Sequence, residues 1–427
     1  MKRIVLVMIS AMALLVGIGA VSPAAAVPYT PRNGMVFNHP KGTKAQQLAI
    51  ITQIDRSIDA APAGSTIRMA QYLFDIDSTA NKLIQAHKRG VNVQILIDDG
   101  NATPQSARVK QALGNNKAAR SYVTTCHRGC MSDIASVMHA KFYLFSAAGS
   151  ARLVSMISSA NPYTGNTFVS WNNLHTIVGD AKIYSSLNQY FSDMILDRTN
   201  KTYYRTTTSG KFKLYLFPRA AQPGVQSVVQ LDVLNHVACS GVARGYGFNG
   251  RTMIRVAMWG WSYARLDIAK KLWDLHNRGC RIEVILNSGR TNPRVIAALI
   301  KRSSRYGVMR VSDAWRDRNH NDLPELYMHH KLLTISGKWF GHPDTKVSYT
   351  GSQNFTAPAT LSNNDIILRI LDNAIYDTYT KNFNYIENHY TRRITRVPTA
   401  ARALSSQTLT EERATEVDDE FASVTDR

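Results

Sequence analysis

The chain has 427 residues, 44% of them hydrophobic and 19% charged, which excludes a disordered or collagen-like polymer and supplies ample material for a buried core. Lys and Arg number 51 against 30 Asp and Glu, a formal charge of +21. That balance argues against cationic partners and points to polyanions: nucleic acid, an anionic membrane or a phosphorylated polymer.

At the start, Lys2 and Arg3 precede a run without charge over residues 4–21, followed by Ala24-Ala25-Ala26. A basic segment, an apolar stretch and an A-x-A site read as a secretory signal peptide over residues 1–26. The alternative is an uncleaved anchor, because the run is just long enough to span. Small residues and Pro23 break the run where a peptidase would cut, which favours cleavage near Ala26 and an extracellular protein. In an oxidising compartment the even set Cys126, Cys130, Cys239 and Cys280 predicts two disulfides. Of the three connectivities, Cys126–Cys130 with Cys239–Cys280 is favoured. Zinc on Cys126, Cys130 and His127 would need a second ligand pair at zinc spacing, and none is present.

The chain is then written twice. Residues 66–70 (TIRMA) recur as 253–257 (MIRVA), an offset of 187. Residues 86–90 (AHKRG) and 93–97 (VQILI) recur as 275–279 (LHNRG) and 282–286 (IEVIL), an offset of 189. His139-Ala140-Lys141 returns as His329-His330-Lys331 and Ile183-Tyr184 as Ile375-Tyr376, offsets of 190 and 192. In each copy a helical pattern with a basic last turn ends at glycine, Gly90 or Gly279, before a β-branched run. Strands alternating with helices predict two similar α/β halves about a pseudo-twofold axis, each with a mixed central sheet flanked by helices. The expected division is 27–198 for the first half, 199–249 for a connecting segment, 250–403 for the second half and 404–427 for a tail. The tail holds seven acids against Arg413 and Arg427.

The chemistry resides in His-x-Lys. Residues i and i+2 of a strand share a face, so His139 and Lys141, like His329 and Lys331, stand side by side. A turn and a second strand follow, ending in Ser158-Ser159-Ala160-Asn161 in one copy and Gly351-Ser352-Gln353-Asn354 in the other. If the halves meet face to face, two imidazoles, two ammonium groups and two amides converge. Lysines with amide and hydroxyl donors suit the non-bridging oxygens of a phosphate and the charge of a pentavalent transition state. Two histidines then divide the remaining work, one as nucleophile on phosphorus and one as acid and base. This chemistry calls for no metal and no cofactor.

These motifs resemble the phospholipase D superfamily, whose signature is His-x-Lys-x4-Asp followed by Gly-Ser-x-Asn. The resemblance spans most of residues 35–395. It implies a bilobal α/β fold with one shared active site, and phosphodiester cleavage through a phosphohistidine. His139 and His329 map to the catalytic pair, Lys141, Lys331, Asn161 and Asn354 to phosphate binding, and Ser159 and Ser352 to its support. Three departures stand out. Ser146 and Ser336 replace the motif aspartates, and Ser158 replaces a glycine. The later acidic element that orients a catalytic imidazole survives as Asn363-Asn364-Asp365, whereas the first half reads Asn173-Leu174-His175. Asp365 is therefore expected beside His329, and which histidine attacks stays open.

Other features carry less. Asp317-Arg318-Asn319-His320-Asn321-Asp322 lacks the glycine and glutamate of a calcium loop and reads as a surface loop leading into His329. Trp259, Trp261 and Tyr263 follow a strand and would line the cleft or pack in the core. The expected activity is that of a secreted, monomeric phosphodiesterase with no obligate protein partner, acting on a phospholipid membrane surface by releasing a headgroup. Nucleic acid cleavage by the same site is the first alternative, and non-catalytic polyanion binding the second. The tail reads either as a solvated end or as an acidic flap that competes with substrate. If it is a flap, deleting residues 404–427 tightens substrate binding at low salt; unchanged affinity in a binding titration rules it out.

Overall fold

Alternation along the strands decides where the apolar side chains go, and here it divides most of them among three cores. The computed structural model describes residues 29–398, apart from 133, 135, 201, 222, 224, 225 and 320–322. The expected signal peptide, the acidic tail and the second part of the 317–322 loop lie outside the described residues.

The first half holds β1 (Gly34–Phe37), β2 (Thr66–Gln71), β3 (Asn92–Asp98), β4 (Tyr122–Cys126), β5 (Phe142–Ala148), β6 (Ala151–Ser158), β7 (Ser170–Trp171) and β8 (Asn173–Val178). Seven of these form a sheet of order β1-β8-β6-β5-β2-β3-β4, in which β2, β3 and β4 are parallel and the rest antiparallel. The second half follows with β9 (Arg205–Ser209), β10 (Phe212–Leu216), β11 (Val237–Ala238), β12 (Met253–Met258), β13 (Arg281–Leu286), β14 (Arg310–Asp313), β15 (Tyr327–Met328), β16 (Lys331–Trp339), β17 (His342–Gly351), β18 (Ile366–Leu371) and β19 (Arg392–Arg393). Its sheet runs β19-β14-β13-β12-β16-β17-β18-β10-β9. The six strands from β14 to β18 match, in order and direction, those from β4 to β8. This is the mixed α/β pseudo-repeat read from the sequence.

The joining segment contributes strands of its own. Residues 199–249, taken as a connector, carry β9, β10 and β11, and β10 flanks β18 as β1 flanks β8. The second sheet therefore takes in strands from the joining segment. Short polar runs such as Arg205–Ser209 escape a hydrophobicity pattern because β9 is an edge strand with mostly exposed residues.

Along β5, Tyr143 and Phe145 face an outer core of the first half, while Phe142 and Leu144 face the middle of the molecule. Along β12, Ile254, Val256 and Met258 face the outer core of the second half and Ala257 the middle. The middle core thus draws on both sheets, and two capped helices complete it. Asp180 caps 181–194 and Asp372 caps 373–390, each accepting a backbone N–H of the first turn. Their buried faces present Leu187, Tyr190 and Phe191 from one and Tyr379, Phe383 and Ile386 from the other. The halves are joined across this core by a parallel pair, β7 with β15, and by a bridge between Met138 and Asn364. Both expected disulfides, Cys126–Cys130 and Cys239–Cys280, are formed. Among the described residues no helix is long and apolar enough to cross a membrane.

His175 lies inside β8 against Phe212, with no hydrogen bond to Nδ1 among the described residues, and burial pushes its pKa down to about 3. It stays neutral in the fold, whereas the unfolded chain takes up a proton near the ordinary histidine value of about 6.5, so this group costs stability increasingly as pH falls from there towards 3. His175→Leu should therefore gain on the wild type by about 2 kcal/mol between pH 7 and pH 5, read as a widening difference in unfolding free energy.

Candidate active site

The regular ladder breaks where the chemistry is. β15 ends at Met328 and β16 begins at Lys331, and in the first half β5 begins only at Phe142. His139 and His329 therefore sit on short links just ahead of β5 and β16 rather than within a strand, as the shared-face reading expects. Both are buried, at 3% and 1% exposure, and so are Lys141 at 0% and Lys331 at 4%. Lys141 Nζ donates to the His139 carbonyl at 2.7 Å, and Lys331 Nζ lies 2.9 Å from His329 Nε2. Ala140, between the first pair, packs into the middle core. His330 meets Asn173 and Asn382, and burial pushes its pKa down to about 3.

Each histidine is held by the opposite half. His139 Nδ1 lies 2.9 Å from Asp365 Oδ1, and His329 Nδ1 lies 2.8 Å from Asn172 Oδ1. This corrects the expectation that Asp365 serves His329. Strand exchange is the physical cause: Met138 bridges Asn364, and the His329 N–H donates to the Trp171 carbonyl at 3.0 Å, so each imidazole lands against its neighbour's polar link. It also corrects the alignment of Asp365 with His175. The structural counterpart of Asp365 is Asn172, and His175 is a core residue of β8.

Ser159 and Ser352, expected at the phosphate, take a different part. Ser352 Oγ donates to Asp365 Oδ1, and Ser159 Oγ donates to Asn172 Oδ1 at 3.0 Å. Each serine steadies the acceptor that holds the other half's histidine. Asn161 and Asn354 are anchored through their carbonyls, which accept the backbone N–H of Leu73 at 3.3 Å and of Gly260 at 3.4 Å. Gly351, at φ 138°, lies so close to the Ile366 carbonyl that a Cβ would come within 2.2 Å of it, which explains glycine there. Ser158 stands at the corresponding place in the first half, and its Oγ donates to the Asn173 carbonyl. Ser146 and Ser336, where the motif aspartates would be, accept the N–H groups of Thr66 and Gly247 and serve the scaffold.

An aromatic ring flanks each histidine, Tyr72 at 5.5 Å from His139 and Trp259 at 5.4 Å from His329, centroid to centroid. Trp261 is instead a core residue, and Tyr263 is exposed beneath the Arg294 guanidinium. Burial pushes the Asp365 carboxyl up to about 7, against the opposing pull of the Ser352 hydroxyl and of Lys141 and Lys331. Among the described residues its second oxygen has no hydrogen-bond partner, consistent with that direction. Among the described residues no group of three or more His, Cys, Asp and Glu is placed to hold a metal ion.

Two buried ammonium groups, a cross-bound His–Asp pair and a second imidazole on an amide define a phosphodiesterase-like site shared by two repeated halves. A family model described as "Cardiolipin synthase, PLD-like domain" matches residues 54–195 and 250–387, and the chain belongs to the phospholipase D superfamily. No curated protein matches the sequence. Among solved structures, a phosphatidylserine synthase of Haemophilus influenzae Rd KW20 is similar at 12% identity and a TM-score of 0.58, with 90% of this chain and 94% of that one covered. A polyphosphate kinase of Porphyromonas gingivalis is similar at 14% identity and a TM-score of 0.54. Here 89% of this chain covers 53% of the kinase, so the chain spans about half its length. The phospholipase D family member Nuc of Salmonella typhimurium aligns at 19% identity and a TM-score of 0.29, with 39% of this chain and 96% of that one covered.

Asp365 must be ionised to hold the proton on His139 Nδ1, so activity should rise with pH through about 7. Removing the Ser352 hydroxyl weakens support for the carboxylate. Ser352→Ala is therefore expected to move the acid limb of the kcat/KM profile to higher pH, while Asp365→Asn lowers kcat by about 10²–10⁴-fold. A limb unmoved in Ser352→Ala would contradict this assignment.

Proposed function

We propose that the protein is a phospholipase D-type phosphodiesterase that works through a phosphohistidine on His139. The observation that carries this reading is the 2.9 Å contact between His139 Nδ1 and Asp365, made between two buried lysines. A carboxylate on Nδ1 fixes the tautomer with its lone pair on Nε2 and stabilises the positive charge that develops as that nitrogen attacks. His329 rests on the neutral amide of Asn172, which orients the ring without adding charge.

In the first step His139 Nε2 forms a bond to phosphorus and the bond to the leaving oxygen breaks. Protonated His329 gives that oxygen its proton, so an alcohol departs. In the second step His329 takes a proton from water, the resulting hydroxide attacks phosphorus, and the phosphorus–nitrogen bond returns its electrons to His139. An alcohol in place of water gives transfer instead of hydrolysis. Lys141 and Lys331, with the amides of Asn161 and Asn354, would bind the non-bridging oxygens.

A glycerophospholipid headgroup is the substrate favoured here. The matching family model takes its description from cardiolipin synthase, and the neighbour of similar length is a phosphatidylserine synthase. The charge of +21 favours the second reading, a nuclease using the same residues. Export by way of residues 1–26 belongs to the same proposal and is supported by the sequence pattern at the N-terminus. The test incubates the purified protein with phosphatidylcholine or phosphatidylglycerol vesicles and, separately, with single- and double-stranded DNA and with RNA. Headgroup release is expected, and nucleic acid fragmentation without it moves the assignment to the nuclease. His139→Ala and His329→Ala should each abolish turnover on whichever substrate is cleaved; full activity in either would sink the shared mechanism.

A further inference from the structure

We infer that Asp98 and Asn287 are positioning residues for the two histidines, each gripping the backbone just ahead of one of them. The inference rests on His139 and His329 being the reacting pair.

The two residues occupy equivalent places. Asp98 is the last residue of β3 and Asn287 follows the last residue of β13, at the offset of 189 that also relates those strands. Asp98 Oδ2 accepts the Met138 N–H at 2.8 Å, and Asn287 Oδ1 accepts the Met328 N–H at 2.9 Å. Met138 and Met328 immediately precede His139 and His329. Both grips are buried, with Asp98 at 2% exposure and Asn287 at 0%.

A backbone N–H buried where the ladder is broken must find a partner, and a side chain from the neighbouring strand end provides it. The partner then does more than satisfy a donor. It fixes one side of a short link whose other side is fixed by the opposite half. On the first link Val137 donates its N–H to Asn363 Oδ1 at 3.0 Å and accepts the Asn364 N–H at 3.1 Å. On the second, Tyr327 and His329 donate to the Val169 and Trp171 carbonyls, each at 3.0 Å. Each histidine therefore hangs between one grip from its own sheet and one from its partner half.

The grips differ in chemistry. Asn287 also donates from Nδ2 to the Met328 carbonyl at 2.7 Å and to the Trp259 carbonyl at 2.9 Å, tying the link to the ring that flanks His329. Asp98 has no donor when ionised. Its other oxygen is held by Asn101 Nδ2 at 2.9 Å and the Gly100 N–H at 3.2 Å, which pin the carboxylate itself. The first half thus uses a braced acceptor and the second a three-point amide.

Misplacing a reacting group by a fraction of an ångström costs rate more than binding, so the signature lies in kcat. Asp98→Leu should lower kcat by about 10–100-fold with KM changed less than about threefold, and Asp98→Asn, which keeps the acceptor oxygen, should recover most of the loss. The deciding readout needs no turnover. In protein with labelled histidines, NMR titration should show the His139 ring signals and titration midpoint moved by Asp98→Leu while those of His329 stay in place, and Asn287→Leu should do the reverse. If Asp98→Leu does not fold, Asp98→Glu, which keeps the charge but overshoots Met138, reads the same quantities. Ring signals unmoved, or both histidines moved alike by either variant, overturn the inference. A wild type inert towards every phosphodiester tried would overturn the proposed function while leaving the NMR comparison able to decide on the grips.

Discussion

Everything at the centre of this molecule depends on one exchange: each half supplies a histidine and borrows the acceptor that orients it. His139 leans on Asp365 and His329 on Asn172, and neither pair exists within a single repeat. Such a site cannot form until the halves have docked. The docking is accordingly not left to surface contacts, because a core built from β5, β6, β16 and β18 together with the helices 181–194 and 373–390 lies between the sheets. Parallel pairing of β7 with β15 then sets the register of the borrowed groups.

Burial gives the exchange its force. Lys141 and Lys331 are almost wholly removed from water, and such ammonium groups are costly unless compensated. Both act on Asp365, which burial pushes the opposite way, so the carboxylate is held near the middle of the physiological range. A positive, dry site with fixed donors is one in which a phosphate anion gains much more than it would in water. The wider positive charge of the chain is a separate matter, acting on encounter with a polyanion rather than on the reaction.

Much of this was legible in the sequence. The strands Asn92–Asp98 and Arg281–Leu286, the two His-x-Lys pairs and both disulfides follow from local pattern and internal repetition. What escaped was set by tertiary pairing. Asn172 lay within reach, because the offset of 193 that relates Ser159 to Ser352 and Asn161 to Asn354 also carries Asp365 back to Asn172. The offset of 190 from the histidines gives His175 instead, since the repeats differ by three residues between motif and acceptor. No periodicity reveals that a partner comes from the other half. Asp98 and Asn287 went unnoticed for a related reason: one ends an apolar strand and the other directly follows one, where a polar residue looks like a turn, and only the broken ladder at Met138 and Met328 shows what each holds.

The pseudo-symmetry is nearly complete in backbone and deliberately broken in charge. At the acceptor position one half has a carboxylate and the other an amide, and at the grip the assignment is reversed, Asp98 in the first half and Asn287 in the second. At the rings themselves His139 meets one carboxylate and His329 one amide, with Lys331 Nζ beside the latter, whereas the two grips reach only the backbone ahead of each ring. An imidazole resting on a carboxylate is favoured as it gains positive charge, which is what the nucleophilic role proposed for His139 would require. An amide orients the other ring without adding a negative charge to it, which suits the proton exchange proposed for His329. Under the proposed mechanism two repeats of one motif divide the tasks by becoming unlike, and Asp365 against Asn172 is the exchange that the imidazoles meet directly.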